Sequence, residues 1–260
     1  MRLSTPALPP ELAASAALFL DFDGTLAPIA ARPQDVRVPP WVLPTLQALS
    51  AQLQGALAIV SGRPIEQLDA FLAPLRLAAA GAHGAECRDA SGRLSQRRAE
   101  PPRRVVECAQ RLAAQHTGLL LEPKTSGLSL HYRARPELEA VCRDALVAAL
   151  AAAPADALQW EWLRGHCVFE LKQRAVSKGV AVQALLAQAP FAGRQPVFVG
   201  DDVTDEDGIR AAQAAGGFGV RVGAGSTQAR YHLADIEAVG RWLRAAVPAS
   251  AELDPRDSRV

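Results

Sequence analysis

The chain has 260 residues, of which 49% are hydrophobic and 21% charged, and a net charge of +1. Such a chain can bury a sizeable core, as one large domain or as a core with a smaller second domain. The near-neutral balance excludes the basic footprint of a nucleic-acid binder, the mixed charge gives no membrane-surface signal, and no apolar stretch is long enough to span a bilayer.

The N-terminal apolar run is interrupted by Pro9-Pro10 and ends in acidic residues, which does not read as a signal sequence. Five short apolar runs follow the pattern of buried parallel strands: residues 17–20, 56–60, 77–80, 196–199 and 218–222. Helical spacing of apolar residues is found over 41–52, 65–72 and 179–188, with a shorter helix predicted at 207–215. Strand-then-helix alternation argues an α/β fold with a doubly wound parallel sheet.

The middle of the chain departs from that rhythm. A polar stretch over 88–98 holds a turn at Ala90-Ser91-Gly92, and Pro101-Pro102 opens a helix over 103–115. Strands are predicted at 118–121 and 128–133 with a turn at 124–127 between them, then a helix at 136–153 and strands at 158–163 and 167–171. Helix, two strands, helix, two strands make a self-contained α+β unit inserted in the main sheet. The predicted division is a core of 1–100 and 176–247, an inserted unit of 101–175, and a frayed polar tail of 248–260. Cys87, Cys108, Cys142 and Cys167 are widely spaced and form no CxxC pair. They read as reduced thiols of a cytoplasmic protein, packing as small apolar residues.

Chemistry is concentrated at strand ends. Leu18-Phe19-Leu20 runs into Asp21-Phe22-Asp23-Gly24-Thr25, two carboxylates that period-2 geometry sets on one side of the strand end. In open α/β sheets ligands bind beyond such carboxyl ends. Paired carboxylates repel there unless a cation or a shared proton joins them, and magnesium is the natural guest for oxygen ligands. The bland alternative is a turn that uses Asp and Gly for their backbone preferences. Val197-Phe198-Val199-Gly200 likewise runs into Asp201-Asp202-Val203-Thr204-Asp205-Glu206-Asp207, for which a solvated loop with a helix cap at Asp205 is the alternative. Ser61-Gly62-Arg63-Pro64 follows the second strand, where a serine can offer its hydroxyl and backbone amides to phosphate or simply cap a helix. Ser177-Lys178-Gly179 opens a helix, and its lysine reads as either a phosphoryl-neutralising charge or a surface lysine.

Together these four elements resemble the four motifs of the haloacid dehalogenase (HAD) superfamily, in order and after the right strands. With Gly81-Ala82-His83-Gly84 and the long acidic motif, they resemble the trehalose-6-phosphate phosphatase family from about Leu18 to Leu243. The resemblance implies a HAD-like Rossmannoid sheet with an inserted αββ-αββ cap of the C2B type. It implies Asp21 as nucleophile, Asp23 as acid then base, and Ser61 and Lys178 as grips on the phosphoryl oxygens. Mg2+ would be held by Asp21, the backbone carbonyl of Asp23, and Asp201, while Asp202 and Asp205 orient bound waters or Lys178. In the cap, Leu121-Glu122-Pro123-Lys124, His131-Tyr132-Arg133 and Gly165-His166-Cys167-Val168-Phe169-Glu170 match sugar-contacting segments. Glu122, Lys124, Arg133 and Glu170 carry over as ligands of the sugar phosphate, and His166 stands where the family usually has lysine. Lys124 and Glu170 are expected on adjacent strands.

Sucrose-6-phosphate phosphatase and phosphomannomutase share the first motif and a similarly placed cap. The long acidic motif and the His-Tyr-Arg and Gly-His-Cys-Val-Phe-Glu segments favour trehalose 6-phosphate. A non-catalytic sugar-phosphate sensor is the reading from another class, and it sits poorly with two intact aspartates in the first motif. The expected partner is a small-molecule substrate; oligomeric state is not legible, with a monomer as the default.

Overall fold

The computed structural model describes residues 7–247 except 31, 98, 125–126, 154–156 and 166. The predicted tail and His166 therefore lie outside the described residues. The chain divides into a larger compact unit, residues up to Ser95 and from Ser177 onward, and a smaller one, Gln96–Val176.

The larger unit is built on the apolar runs. They become β1 (Ala16–Leu20), β2 (Leu57–Val60), β3 (Ala78–Gly81), β10 (Gln195–Gly200) and β11 (Phe218–Val222). The strands numbered between them are β4 (Glu86–Arg88) and β5 (Leu94–Gln96), then β6 (Leu120–Lys124), β7 (Gly127–His131), β8 (Trp160–Gly165) and β9 (Val168–Gln173) of the smaller unit; β12 (Tyr231–Leu233) comes last. The large sheet has the order β12-β11-β10-β1-β2-β3-β4-β5. β1 is fully buried along its length and pairs in parallel with β10 on one side and β2 on the other, Leu20 standing opposite Val199 and Ile59. The strands legible as continuous apolar runs are thus the buried central ones. The hairpin β4–β5 and the edge strand β12 are additions: they are three residues each, and β5 is wholly exposed.

Helices α1 (Val42–Gln52) and α2 (Ile65–Leu72) follow β1 and β2, with Ile65, Leu68 and Leu72 of α2 buried at helical spacing. The smaller unit supplies α3 (Arg103–Gln115) and α4 (Glu139–Ala151). In the larger unit α5 (Lys178–Leu186) precedes β10, α6 (Asp205–Ala214) follows it, and α7 (Ile236–Ala245) closes the described chain. The helix expected to begin at 207 starts two residues earlier, at Asp205, because an acidic first turn of Asp205, Glu206 and Asp207 suits the positive end of a helix. A helix at 236–245 was not predicted; Asp235 caps it, accepting from the Ala238 amide at 2.7 Å.

In the smaller unit, α3 buries Val105, Cys108, Ala109 and Leu112, the i, i+3, i+4, i+7 set, and α4 buries Cys142, Leu146 and Leu150. Its sheet has the order β6-β7-β9-β8, antiparallel throughout. Alternation places Leu128, Leu130, Phe169, Leu171 and Trp160 in the core of this unit. The other face carries polar side chains, with Glu122, Ser129 and Glu170 in one cross-strand row. The expectation that Lys124 and Glu170 occupy adjacent strands is corrected here: β7 lies between β6 and β9. Both chains still emerge on one face, because Lys124 is two residues from Glu122. The strand predicted to reach Arg133 ends at His131; Tyr132 turns inward to stack on Phe169 at 5.1 Å, and Arg133 lies exposed in the turn beyond.

Candidate active site

β10, β1 and β2 are neighbours, so their carboxyl ends deliver Asp201, Asp21 and Ser61 side by side. The Asp21 amide donates to the Val199 carbonyl at 2.9 Å, which carries the sheet register up to the first carboxylate. Two glycines make the approach of the elements possible. A Cβ on Gly24 would stand 2.0 Å from Asp201 Oδ2, and Gly24 has φ +81°, so the loop after β1 can lie against that carboxylate only without a side chain. A Cβ on Gly200 would come within 2.3 Å of the Asp205 carboxyl carbon.

Lys178, the first residue of α5, is buried and holds two acids at once. Its ammonium donates to Asp21 Oδ1 at 2.7 Å and to Asp205 Oδ1 at 2.5 Å. Asp205 is completely buried, and its Oδ2 accepts from the amides of Asp201 (3.0 Å) and Asp202 (2.9 Å). Asp205 therefore ties the acidic loop to Lys178 and to the nucleophile candidate. Burial, then the charge of Asp205, pushes the Asp21 carboxyl well above the usual carboxylate range, against the opposing pull of Lys178. Burial works against the charge on Lys178, but Asp21 and Asp205 outweigh it and hold the ammonium above its ordinary value. Asp201 is pushed up to about 6 by burial and by its acidic neighbours Asp205 and Asp202.

Ligand oxygens of Asp21, Asp201 and Asp205 lie within 4.8 Å of one another. A magnesium ion sits about 2 Å from each of its ligands, so oxygens around one ion are at most about 4 Å apart, and this cluster is close to that spacing. The Asp201 carboxylate accepts no hydrogen bond from the described residues, whereas both oxygens of Asp205 already do. An all-oxygen set with an unsatisfied, raised carboxylate fits a hard divalent cation.

The remaining predicted residues are distributed as follows. Asp23 sends its carboxylate to Arg63, accepting from Nε at 2.6 Å and from Nη2 at 2.7 Å. The Ser61 hydroxyl oxygen accepts from the Arg63 amide at 3.2 Å. Asp202 is exposed and turns to the Val203 amide, making no hydrogen bond to Lys178. In the smaller unit Glu122 pairs with His131 at 2.9 Å and stands 3.9 Å from Lys124. Arg63 has no role assigned by the sequence pattern, where its signal is a guanidinium two residues after the serine. The same holds for His83, whose ring would meet a Cβ on Gly62 at 2.7 Å.

A profile of the family described as trehalose-phosphatase matches residues 19–237, which spans all of these motifs. The chain belongs to the trehalose-phosphatase family. A trehalose-6-phosphate phosphatase of Escherichia coli K12 is 42% identical over 236 residues, covering 90% of this chain and 87% of that protein. The C-terminal domain of the Candida albicans trehalose-6-phosphate phosphatase shares the fold, with a TM-score of 0.74 at 21% identity over 94% of this chain and 99% of that one. A HAD-superfamily phosphatase of Bacteroides thetaiotaomicron gives a TM-score of 0.62 at 16% identity, over 90% of this chain and 96% of that one. Trehalose-phosphatases are hydrolases, and the HAD-like α/β architecture with an additional antiparallel sheet is that of this chain.

Proposed function

We propose that the chain hydrolyses trehalose 6-phosphate to trehalose and inorganic phosphate in a magnesium-dependent reaction with an aspartyl-phosphate intermediate. The observation that carries the reading is the buried Lys178 bridge between Asp21 and Asp205, with Asp201 beside them, in a chain of the trehalose-phosphatase family.

Asp21 is the nucleophile: Lys178 holds Oδ1, which leaves Oδ2 to attack phosphorus as the P–O bond to the sugar breaks. Asp23 gives its proton to the departing sugar oxygen, a poor leaving group without it. Asp23 then takes a proton from water, whose oxygen attacks the aspartyl-phosphate and releases phosphate with Asp21 restored. Lys178 and Ser61 hold the phosphoryl oxygens. Asp21, the Asp23 carbonyl and Asp201 would hold magnesium, with Asp202 and Asp205 ordering the surroundings; the ion supplies charge to the phosphoryl oxygens. Residues 1–100 with 176–247 serve as the catalytic core, and 101–175 as the sugar-recognising cap through Glu122, Lys124, Arg133, His166 and Glu170. Among the described residues no helix is long and apolar enough to cross a membrane, and no disulfide joins Cys87, Cys108, Cys142 and Cys167. On that basis we assign the enzyme to the cytoplasm.

Rapid quenching during turnover of trehalose 6-phosphate, followed by peptide mass spectrometry, tests the mechanism. A phosphoryl group on the peptide bearing Asp21 is expected. A phosphoryl group on any other side chain, or none in a burst of product, contradicts it.

A further inference from the structure

The motif Gly81-Ala82-His83-Gly84 enters no step of the proposed reaction, yet it stands between two of the groups that do. On one side it is fastened to the loop that carries Ser61. The Ser61 amide donates to the Ala80 carbonyl at 2.8 Å, the His83 amide to the Ser61 carbonyl at 3.0 Å, and the Ala82 amide to the Arg63 carbonyl at 2.8 Å. Gly62, between these two anchored carbonyls, meets the His83 ring so closely that a Cβ on it would stand 2.7 Å from Cε1 and 2.8 Å from Nε2. Buried Glu86 completes this side, accepting from the Ile65 amide at 2.8 Å in the first turn of α2. On the other side a Cβ on Gly84 would stand 2.8 Å from the Ser177 carbonyl oxygen and 3.2 Å from the Ala181 Cβ. Ser177 caps α5, accepting from the Val180 amide at 3.2 Å, and Lys178 follows it directly.

The turn keeps a backbone that residues with a Cβ avoid. Ala82 has φ +47° and His83 φ +56°, ahead of Gly84 at +104°. Left-handed conformations of this kind persist where surrounding contacts over-determine them. Here those contacts are the hydrogen bonds to the Ser61 and Arg63 carbonyls and the packing of the imidazole on Gly62.

We propose that His83 is a positioning residue: its ring, braced by this turn, fixes the Ser61-Gly62 backbone so that the Ser61 hydroxyl meets the phosphoryl group in register with Lys178. The inference rests on the proposed roles of Ser61 and Lys178 and adds the element that sets one against the other. A displacement of about 1 Å in a reacting group can cost roughly 10²-fold in rate, and a loop that relaxes by part of that distance costs about 10-fold.

The test is a double-mutant cycle with Ser61. Trehalose 6-phosphate and p-nitrophenyl phosphate are assayed with magnesium for wild type, His83→Ala, His83→Gly, Ser61→Ala and Ser61→Ala/His83→Ala. Both His83 variants are expected to lose about 10-fold in kcat on both substrates, since the phosphoryl group is common to them, with KM within about 3-fold. The inhibition constant of orthovanadate, a mimic of the phosphoryl group in transit, should rise about 10-fold in both. His83→Gly relieves the positive φ and should melt no lower than His83→Ala, so an equal loss of activity in the two is not a loss of fold. With Ser61 already replaced by alanine, removing the ring should cost less than about 2-fold. A 10-fold loss repeated in the Ser61→Ala background makes His83 structural and overturns the proposal, as does wild-type kcat in either His83 variant. If Ser61→Ala alone is fully active, the phosphoryl grip of Ser61 falls first; if it is impaired and the cycle shows no coupling, only the His83 inference falls.

Discussion

Replacing Lys178 with methionine tests the buried charge cluster most sharply. Lys178 and Asp21 are each 4% exposed in their side chains and Asp205 is 0% exposed, so water cannot take over when the ammonium is removed. Two carboxylates lose their common counter-ion, and Asp201, already raised to about 6, adds a third negative charge nearby. Breaking a buried ion pair by deleting one partner costs about 3–5 kcal/mol. At roughly 2–4 °C per kcal/mol for a chain of this size, metal-free Lys178→Met should melt about 6–20 °C below wild type. Asp21→Asn is the informative contrast. It removes the charge that burial and Asp205 disfavour, yet keeps an oxygen for Lys178, so the metal-free protein should be as stable as wild type or more so while losing its nucleophile. Both are read by thermal denaturation in EDTA and again with magnesium, which should raise the Tm of Lys178→Met more than that of wild type because the ion takes the place of the lost ammonium as counter-charge. A Lys178→Met protein as stable as wild type, or an Asp21→Asn protein as unstable as Lys178→Met, would refute the electrostatic reasoning.

Asp201→Asn should abolish the calorimetric signal of magnesium binding and lower phosphatase activity by more than about 10²-fold. The pH dependence follows from the raised Asp201 carboxyl. Protons compete with the ion as pH falls through about 6, so apparent magnesium affinity should weaken below that value, measured as the activation constant from pH 7.5 to 5. For the metal-free fold the sign is opposite: a carboxyl raised above its unfolded value opposes folding above about 6, so this group's penalty fades as pH falls from there toward its ordinary value near 4. Gly24→Ala should destabilise the protein by more than about 1 kcal/mol in denaturant titration and cut activity, because its methyl would overlap the Asp201 carboxylate at a backbone φ of +81°. Glu170→Ala should raise KM for the sugar phosphate far more than for an aryl phosphate; equal effects would argue against sugar recognition.

What was legible from the chain follows from burial. The central strands could be read because both faces of β1, β2, β10 and β11 are covered, which writes mainly apolar runs into the sequence, broken only by Gln195 at the start of β10 and Arg221 within β11. β12 reads Tyr-His-Leu and is a three-residue edge, and β5 reads Leu-Ser-Gln with no buried face, so neither leaves such a run. The order β6-β7-β9-β8 is a choice among pairings that strand patterns alone do not make, hence the misplaced adjacency of Lys124 and Glu170. Asp21 and Asp201 were visible as acids that end apolar strands. The partnership of Asp23 with Arg63 was not, since it joins residues 40 positions apart and depends on where a long side chain is held by Phe22, Phe71 and Gln67. The raised carboxyls of Asp21 and Asp201 are likewise products of burial that only the packed structure reveals.

The most direct test of the proposed activity is phosphate release from trehalose 6-phosphate with magnesium, beside sucrose 6-phosphate, glucose 6-phosphate and an Asp21→Asn control. Rapid release confined to trehalose 6-phosphate and lost in the control is the predicted result. A dominant substrate other than trehalose 6-phosphate, or an Asp21→Asn protein that retains activity, would contradict it.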